Sequence, residues 1–399
     1  MNQVLKKHSP WLLGVILVSY FVVGFPDGAF TVSWLGISED ISGMTTAHTG
    51  FILVAYSVTY TLAGIILAKL VRFMKLQMVY FCGLVVMGLG FVALALSPNF
   101  TMVMTSIAIY GFGTGVMASS MNSYMAKHFS ARHNNWMHCF WGGGAAFSPI
   151  IMGQLMAILS WRAGYFVITG ILGLIATMLL VSMSKKIWID EDGKHQEQAV
   201  VQEVVKKRFL TKKWHQILEI MTFFFLGGTD YTLVFFTGAA LVARGSETTE
   251  SVAIFSAIYY VAMTVGRMFF GWVAKWLNEL VIIRIGVVIS IVGIAVLYFT
   301  SNVAGMALVG FGLAPMLPTL VSDTSNRFRP TLISKIVGYE LAAFGAGIAV
   351  LFFITSQIMH FVSYEALFPL GLGFIVLVFV CNEVLAHALK VRQNGRSGS

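Results

Sequence analysis

Long apolar runs separated by short polar stretches dominate the chain. A transmembrane helix needs about 20 consecutive, mostly apolar residues. Runs such as 171–181 are apolar on every side, whereas a membrane β-barrel would show alternating strands of about ten residues. The pattern therefore predicts an all-α membrane protein with twelve transmembrane helices, at residues 11–34, 45–70, 76–97, 100–126, 136–160, 162–184, 214–243, 251–276, 280–300, 302–322, 332–358 and 363–390.

Composition strengthens this prediction. Of the 399 residues, 57% are hydrophobic and 11% are charged, and the mean hydropathy is +0.81. A soluble domain carries about 25% charged residues. The composition thus excludes a soluble enzyme, a nucleic-acid-binding domain and a disordered protein, although the net charge is +9.

The basic residues are distributed unequally between the two sets of predicted loops. If both termini lie on one side, that side receives 23 Lys and Arg residues, and the other side receives Arg162 and Arg244. Arg267 falls inside a predicted helix. Cytoplasmic loops carry an excess of Lys and Arg, so the pattern predicts a multi-pass protein of the cytoplasmic membrane with both termini cytoplasmic.

One long hydrophilic stretch, at 185–213, divides six predicted helices from six. We expect a cytoplasmic interdomain loop here. It is either a solvated linker held near anionic lipid by its basic residues or a binding segment or surface helix. The predicted domains are an N-terminal six-helix bundle at 1–184 and a C-terminal six-helix bundle at 214–399.

The two predicted bundles share an internal repeat. Trp11 opens the first predicted helix and Trp214 opens the seventh, and each follows a pair of lysines. Sixteen residues after each Trp stands an acid, Asp27 in GFPDGAF and Asp230 in GGTDYT. A repeat of six helices is the plan of transporters that move two bundles around a central site.

Several segments carry a resemblance to a known family. They are GFPDGAF at 24–30, GTGVMASSMNSYMA at 113–126, NWMHCFWGGGAAFSP at 135–149, WRAGY at 161–165, VGRMFFGWVAKW at 265–276 and GFGLAPMLPTL at 310–320. Over essentially its whole length the chain resembles the major facilitator superfamily. It is most similar to the fucose-permease-like branch of sugar:cation symporters, through the Asn-x-Tyr of 122–124 and the His-and-glycine run of 138–144. The resemblance implies two pseudo-symmetric six-helix bundles that work by alternating access, as a monomer.

The sequence also departs from the family pattern. Ala68 and Lys275 stand where the superfamily usually has an Asp in the loops after the second and eighth helices. Ala118 stands where the fucose symporter has an acid that serves proton coupling. If this protein uses protons, we expect another acid to carry them.

Acidic residues at membrane depth are the candidates. An ionisable side chain there costs about 2.5 to 3.5 kcal/mol on insertion scales, so it usually faces a cavity or a partner. Asp27 is predicted to couple a cation or bind substrate, or else to serve as a structural helix breaker near the outer gate. Asp230, beside Tyr231, is its pseudo-symmetric mate. Glu340 is predicted to be protonated during coupling, or else to form a salt bridge or hydrogen bond with a neighbouring helix.

Two further ionisable residues are predicted to contribute to gating. Arg267 is either a mobile partner for Glu340 or a structural residue. His138 is either a gate residue or a group that takes part in coupling, because histidine titrates near neutral pH. Asp323 and Glu219 lie near span ends and are expected to serve interfaces.

Neutral side chains indicate a hydroxyl-rich solute. Asn122 and Gln154 can each donate and accept hydrogen bonds. Flat rings on which a sugar could lie are offered by Trp34, Trp141, Tyr259, Tyr260 and Tyr339. We expect Asn122, Trp141, Asp27, Asp230, Tyr231, Tyr259 and Glu340 to contact substrate.

The sequence therefore predicts a secondary active transporter of a small polar solute, a sugar or polyol, coupled to a cation, with H⁺ favoured over Na⁺. The alternative is a proton-coupled drug or metabolite exporter of the same fold, which the 21 Met and 32 Phe keep open. No catalytic set, metal-ligand spacing or ATP-binding motif is recognisable. We expect no enzyme activity, no cofactor or metal, and no nucleic-acid partner; membrane lipid is the expected surrounding.

Overall fold

The computed structural model describes residues 10–129, 131–185, 188, 209–247 and 251–394. These residues form α-helices and one short 3₁₀-helix at Tyr364–Ala366, and no strand occurs among them. The predicted loop at 185–213 lies mostly outside the described residues. The helices are α1 Pro10–Val23, α2 Phe25–Asp40, α3 Thr46–Leu70, α4 Leu76–Ala95, α5 Phe100–His128, α6 Ala131–Ile158, α7 Trp161–Ser184, α8 Lys213–Ala243, α9 Val252–Val273, α10 Glu279–Thr300, α11 Val303–Leu313, α12 Met316–Arg327, α13 Pro330–Phe361 and α14 Leu367–Asn394.

Eleven helical segments of the described chain are long and apolar enough to cross a membrane. The predicted fifth span, α6, is not among them. It is long enough at 28 residues, but its first turns contain the polar run 132–135, and glycines follow. Together, the twelve long segments confirm the predicted all-α membrane fold.

Two predicted spans are each interrupted. The first consists of α1 and α2, which meet at Gly24, and Pro26 stands in the first turn of α2. The tenth consists of α11 and α12, which meet at Ala314 and Pro315. Proline has no N–H to donate to the preceding turn and its ring clashes with that turn, so a helix restarts at each site.

The described chain forms two compact units. Unit 1 comprises the described parts of Met1–Asp192 and Thr248–Tyr260, and unit 2 those of Gly193–Glu247 and Val261–Ser399. In unit 1, α6 packs against α1 and α2, and α4 packs against α5 and α7. In unit 2, α8 packs against α13 and α14, and α10 packs against α11 and α14. The beginning of α9 thus belongs to unit 1 and its remainder to unit 2.

Glycines bring two helices of unit 1 into close contact. A Cβ atom at Gly144 of α6 would overlap the carbonyl oxygen of Phe21. A Cβ atom at Gly24 would in turn overlap the carbonyl oxygen of Trp141. Residues without a side chain are therefore required where these helices cross.

Unit 2 repeats this crossing between α8 and α13. A Cβ atom at Gly347 would overlap the carbonyl oxygen of Phe224, and one at Gly227 would overlap that of Phe344. All four residues follow their unit 1 counterparts by 203 positions, the same spacing that separates Asp27 from Asp230. The repeat found in the sequence therefore extends to the backbone contacts of the folded chain.

An ion pair joins the helix ends of unit 1. Arg162, at the start of α7, pairs with Asp40 at the end of α2. Its other nitrogen donates to the carbonyl oxygen of Ser97 at 3.0 Å, just after α4. The guanidinium also lies 4.3 Å from the ring centre of Trp161. One arginine thus connects three helix ends.

Arg244 makes the corresponding connection in unit 2. Its Nε donates to Glu365 at 2.6 Å, and a second nitrogen also bonds that carboxylate. Its remaining nitrogen donates to the carbonyl oxygen of Tyr298 at 2.7 Å and to the Oγ of Ser301 at 3.1 Å. The hydrogen bond that Arg244 donates to Glu365 holds the pKa of Arg244 above its usual value.

Candidate functional site

Asp27 owes its position to the break between α1 and α2. It lies in the first turn of α2, where the helix N-terminus favours a negative charge, and it is half-buried. The carboxylate is within electrostatic range of Tyr56 and Tyr60 of α3 and Tyr110 of α5. The Tyr56 ring lies 5.9 Å from that of Tyr60 and 5.5 Å from that of Tyr110, centre to centre. A carboxylate therefore faces a group of phenols.

Asn122 joins this group through Tyr20 of α1. Its Nδ2 donates to the Tyr20 hydroxyl at 3.1 Å and to the carbonyl oxygen of Ala118 at 2.9 Å. The Tyr20 ring also makes an edge contact with His138, with centres 5.8 Å apart, and Tyr20 is within electrostatic range of Asp27. Two predicted site residues, Asn122 and His138, thus contact Tyr20, and a third, Asp27, lies within electrostatic range of it.

An aromatic group lies beside this cluster in unit 1. The Tyr260 ring makes an edge contact with Trp141 at 6.2 Å and another with Tyr259 at 5.3 Å. The hydroxyl of Thr31 donates to the Oγ of Ser256 at 3.1 Å, joining α2 to the same part of α9. Trp141 and Tyr259, both predicted to contact substrate, therefore belong to one aromatic group.

The remaining predicted residues lie in other surroundings. Asp230 and Tyr231 are half-buried on α8 of unit 2, just after the glycines of the α8–α13 crossing, and Arg267 is half-buried on α9. Trp34 is buried, while Gln154 and Tyr339 are exposed. Glu340 is fully buried in unit 2.

A polar cluster surrounds Glu340 and is centred on Arg327. Arg327 is 1% exposed and donates to both carboxylate oxygens of Glu219, at 3.0 and 2.8 Å. It also contacts Asp323 at 2.6 Å and the Oδ1 of Asn382 at 2.5 Å. Glu219 and Asp323, expected at interfaces, are therefore both ligands of one arginine. We call Glu219, Asp323, Thr324, Arg327, Glu340 and Asn382 the Arg327 cluster.

Two further hydrogen bonds involve residues of this cluster, one between side chains and one between backbone groups. The hydroxyl of Thr324 donates to the Oε1 of Glu340 at 2.7 Å. The backbone N–H of Leu210 donates to the carbonyl oxygen of Arg327 at 2.7 Å. Leu210 packs with Phe328, Ile336 and Leu385 in a small hydrophobic core.

The family is decided by a match over most of the chain. The profile of the Major Facilitator Superfamily matches residues 16–349. The chain belongs to this superfamily. It is accordingly a membrane transporter rather than an enzyme.

Similar proteins of known structure share the major facilitator fold at low identity. A bacterial homologue of the human lysosomal transporter Spinster, in an inward-facing and unoccupied conformation, is 12% identical, with a TM-score of 0.72, and the match covers 97% of this chain and 98% of that one. A peptide transporter POT in complex with sulfate is 12% identical, with a TM-score of 0.75 and coverage of 98% and 96%. PepTSo, a POT family transporter, is 11% identical, with a TM-score of 0.73 and coverage of 97% and 99%.

A curated relative matches a shorter part of this major facilitator transporter. The Multidrug efflux pump SdrM of Staphylococcus aureus (strain N315) is 28% identical over 120 residues, which are 29% of this chain and 27% of the pump. The chain therefore matches about a quarter of the pump's length. Among the described residues, no group of three or more His, Cys, Asp or Glu could hold a metal ion.

Several residues of these clusters in the major facilitator transporter are not among the predicted sites. Tyr56 and Tyr60 are four residues apart, a spacing that places both side chains on one helix face. Asp323 and Arg327 have the same spacing. These signals are readable in the sequence, but Glu219 and Asn382 come from distant helices, and no spacing connects them to Arg327.

Proposed function

We propose that this transporter moves a small polar solute, a sugar or related polyol, by alternating access coupled to a cation gradient, with H⁺ as the cation. The observation that carries the proposal is the hydrogen bond from Asn122 to Tyr20, which lies within electrostatic range of Asp27. Carboxylate, amide and phenol groups together can accept and donate the hydrogen bonds of several hydroxyls.

Ring faces support the same class of solute. Trp141 and Tyr259 belong to an aromatic group beside the polar cluster, and the C–H bonds of a sugar ring can pack on such faces. We propose that Asp27, Asn122, Trp141 and Tyr259 bind substrate from unit 1, and that Asp230, Tyr231 and Glu340 do so from unit 2.

Coupling and gating are assigned as follows. Asp27, Asp230 and Glu340 are the proposed proton carriers, and His138 and Arg267 are the proposed gating residues. A ligand shifts the balance between two conformations only if it binds them with different affinities. Protonation of a buried acid meets this requirement, because a buried conformation favours the neutral form.

The cellular setting is part of the same proposal. We place the protein in the cytoplasmic membrane, as a monomer surrounded by lipid. Both termini and the loop at 185–213 are then cytoplasmic, between bundles at 1–184 and 214–399. Reporter fusions at the C-terminus test the orientation: an enzyme active only in the cytoplasm should be active there, and inactivity would contradict it.

The test begins with ligand binding. A ligand that binds the folded state raises its apparent thermal stability. We expect a sugar or polyol to raise the unfolding temperature of the purified protein, and Asn122→Ala to abolish this rise. Asn278→Ala is the matched control, because Asn278 caps α10 in unit 2 and is exposed.

The outcomes separate two functions. A sugar-induced rise that is lost in Asn122→Ala and retained in Asn278→Ala supports the symporter. Stabilisation by hydrophobic cations alone, insensitive to Asn122→Ala, would overturn it in favour of the exporter. The match to Multidrug efflux pump SdrM covers 27% of that pump, so the choice depends on this ligand test.

A further inference from the structure

The Arg327 cluster contains more negative than positive charge. It holds three carboxyl groups, of Glu219, Asp323 and Glu340, and one guanidinium. The guanidinium is already bonded to Glu219 and Asp323. The third carboxyl group, Glu340, therefore has no dedicated cation among the described residues.

Glu340 itself has an incomplete set of hydrogen bonds. Its side chain is 0% exposed. Oε1 accepts from Thr324, whereas Oε2 is buried and has no hydrogen-bond partner within the described part of the chain. Burying an ionised carboxylate in this state is far less favourable than burying the neutral acid. The surroundings therefore favour a protonated Glu340.

The ionisable groups on the helices packed against α13 do not change this conclusion. On α8, Glu219 is within electrostatic range of Glu340; the other ionisable groups of this helix are Lys213, the buried His215, Asp230 and Tyr231. On α12 they are Asp323 and Arg327. On α14, Glu383 lies within electrostatic range of Arg327 but pairs with Arg284 at 2.7 Å. Arg327 remains the described cation within electrostatic range of Glu340.

Unit 1 has neither the carboxylates nor the arginine of the Arg327 cluster at its equivalent positions. Residues of α8, α13 and α14 lie 203 positions after their unit 1 equivalents. For α12 the spacing is 199, obtained by matching Phe328, the C-cap of α12, with Phe129, the C-cap of α5. At the positions equivalent to Glu219, Asp323, Arg327, Glu340 and Asn382, unit 1 has Ile16, Tyr124, His128, Met137 and Leu179.

These unit 1 residues build the same region with apolar and aromatic packing. Ile16, Met137 and Leu179 are almost completely buried. The rings of Tyr124 and His128 lie 4.6 Å apart. Buried ion pairs can often be replaced by packed apolar side chains without loss of stability. A six-helix unit of this plan is thus built in unit 1 without these charges.

We propose that, of the three acids proposed as proton carriers, Glu340 is the one that binds the coupling proton, and that the fixed negative charges of Glu219 and Asp323 favour its protonated form, while Arg327 holds these two carboxylates in place. In the release step the O–H bond of the Glu340 acid breaks, the proton goes to water, and the electron pair stays on the carboxylate oxygen. Arg327 is then a positioning residue. The proposal depends on the proposed function only for the use of this proton in transport.

Infrared spectroscopy tests proton binding without any solute. The full chain in lipid nanodiscs is titrated from about pH 6 to about pH 10, above the range in which ordinary carboxyl groups are protonated. We expect the C=O stretching band of a protonated carboxylic acid, which disappears as the pH rises. This band should be absent at every pH in Glu340→Gln and unchanged in the control Glu383→Gln, which neutralises an acid on α14.

Each result has a definite meaning. Loss of the band in Glu340→Gln, with the thermal unfolding temperature retained, supports the proposal. Persistence of the band in that variant overturns it. A band that never titrates identifies a structural acid and also overturns it. If Glu340→Gln fails to fold, Glu340→Asp replaces it, and the band should then remain with an altered titration midpoint; an unaltered midpoint overturns the assignment.

Flux separates this inference from the proposed function. In proteoliposomes loaded with the sugar or polyol found by thermal shift, Glu340→Gln should lose accumulation driven by a pH gradient, whereas the control Glu383→Gln should retain it. Accumulation at the wild-type level would overturn the site and leave the proposed function standing. If no sugar or polyol binds but the Glu340 band titrates, the proposed solute fails and the proton site stands.

Discussion

Arg162 and Glu365 occupy equivalent positions of the two repeats and carry opposite charges. They are 203 positions apart; Arg162 lies at the start of α7, and Glu365 lies in the 3₁₀-helix just before α14. Arg162 pairs with Asp40, and Glu365 pairs with Arg244. The ion pair at this junction is thus repeated with reversed polarity. The junction therefore requires two opposite charges in contact, and either of the two equivalent positions can carry the positive charge.

This reversal predicts the behaviour of a charge swap. Asp40→Arg alone should lower the free energy of unfolding by about 1 kcal/mol, because it places two cations together in a half-exposed site. Adding Arg162→Glu gives unit 1 the polarity of unit 2 and should recover most of that loss. Thermal unfolding in detergent measures both. Purely additive effects of the two changes would contradict a direct interaction.

The glycine crossing of unit 2 predicts a sharp difference between neighbouring positions. Gly347→Ala should cost about 1 to 3 kcal/mol of stability through overpacking, because its Cβ would overlap the carbonyl oxygen of Phe224. Gly345→Ala is the control, since a Cβ there has nothing within 4 Å. The unfolding temperatures of the two variants check this, and equal losses would contradict the close crossing.

A comparison of Arg327 with Arg284 tests how strongly burial changes the contribution of an ion pair to the free energy of unfolding. Arg327→Ala leaves Glu219 buried without its cation and should cost about 3 to 5 kcal/mol. Arg284→Ala breaks a pair with Glu383 that is half exposed at the arginine, and should cost about 1 kcal/mol or less. Chemical unfolding of both variants gives the comparison. Comparable losses would mean that the Arg327 cluster is solvated.

Tyr20 and Tyr80 test the substrate site through a single hydroxyl each. Tyr20→Phe removes the acceptor of the Asn122 amide, so a bound sugar or polyol should lose affinity about tenfold, the value of one neutral hydrogen bond. Tyr80→Phe removes a hydroxyl whose hydrogen bond goes to Ser19 at 2.8 Å, and should leave affinity unchanged. Dissociation constants from titration calorimetry decide, and equal losses would remove Tyr20 from the site.

The fold was predictable because its signals are local. Each span is a continuous apolar run, and the break at Gly24, which the predicted span 11–34 did not include, has a local cause in the nearby Pro26. The division of the tenth span at Pro315 has the same local cause. The apolar runs do not indicate which helices touch, so the close approach of Gly144 to Phe21 is seen only in the folded chain.

The candidate site was predictable in part. Asp27, Asn122 and His138 stand out as polar groups inside apolar runs; Asn122 and His138 contact Tyr20, and Asp27 lies within electrostatic range of it. Tyr20 escapes notice because tyrosines are common at membrane interfaces. Glu340 also stands out alone, but its neighbours Glu219 and Asn382 lie 121 positions before it and 42 after it. Only tertiary packing assembles them around Arg327.

The hydrogen bond from Leu210 to the carbonyl oxygen of Arg327 has a mechanical consequence. Together with Phe328, Ile336 and Leu385, Leu210 fastens the chain just before α8 begins. A force applied to the chain before residue 209 therefore acts on these contacts of Leu210, and the start of α8 keeps its position. Insertions or substitutions before residue 209 should therefore be tolerated. In Leu210→Asp, which loses this packing, the same changes should displace the start of α8.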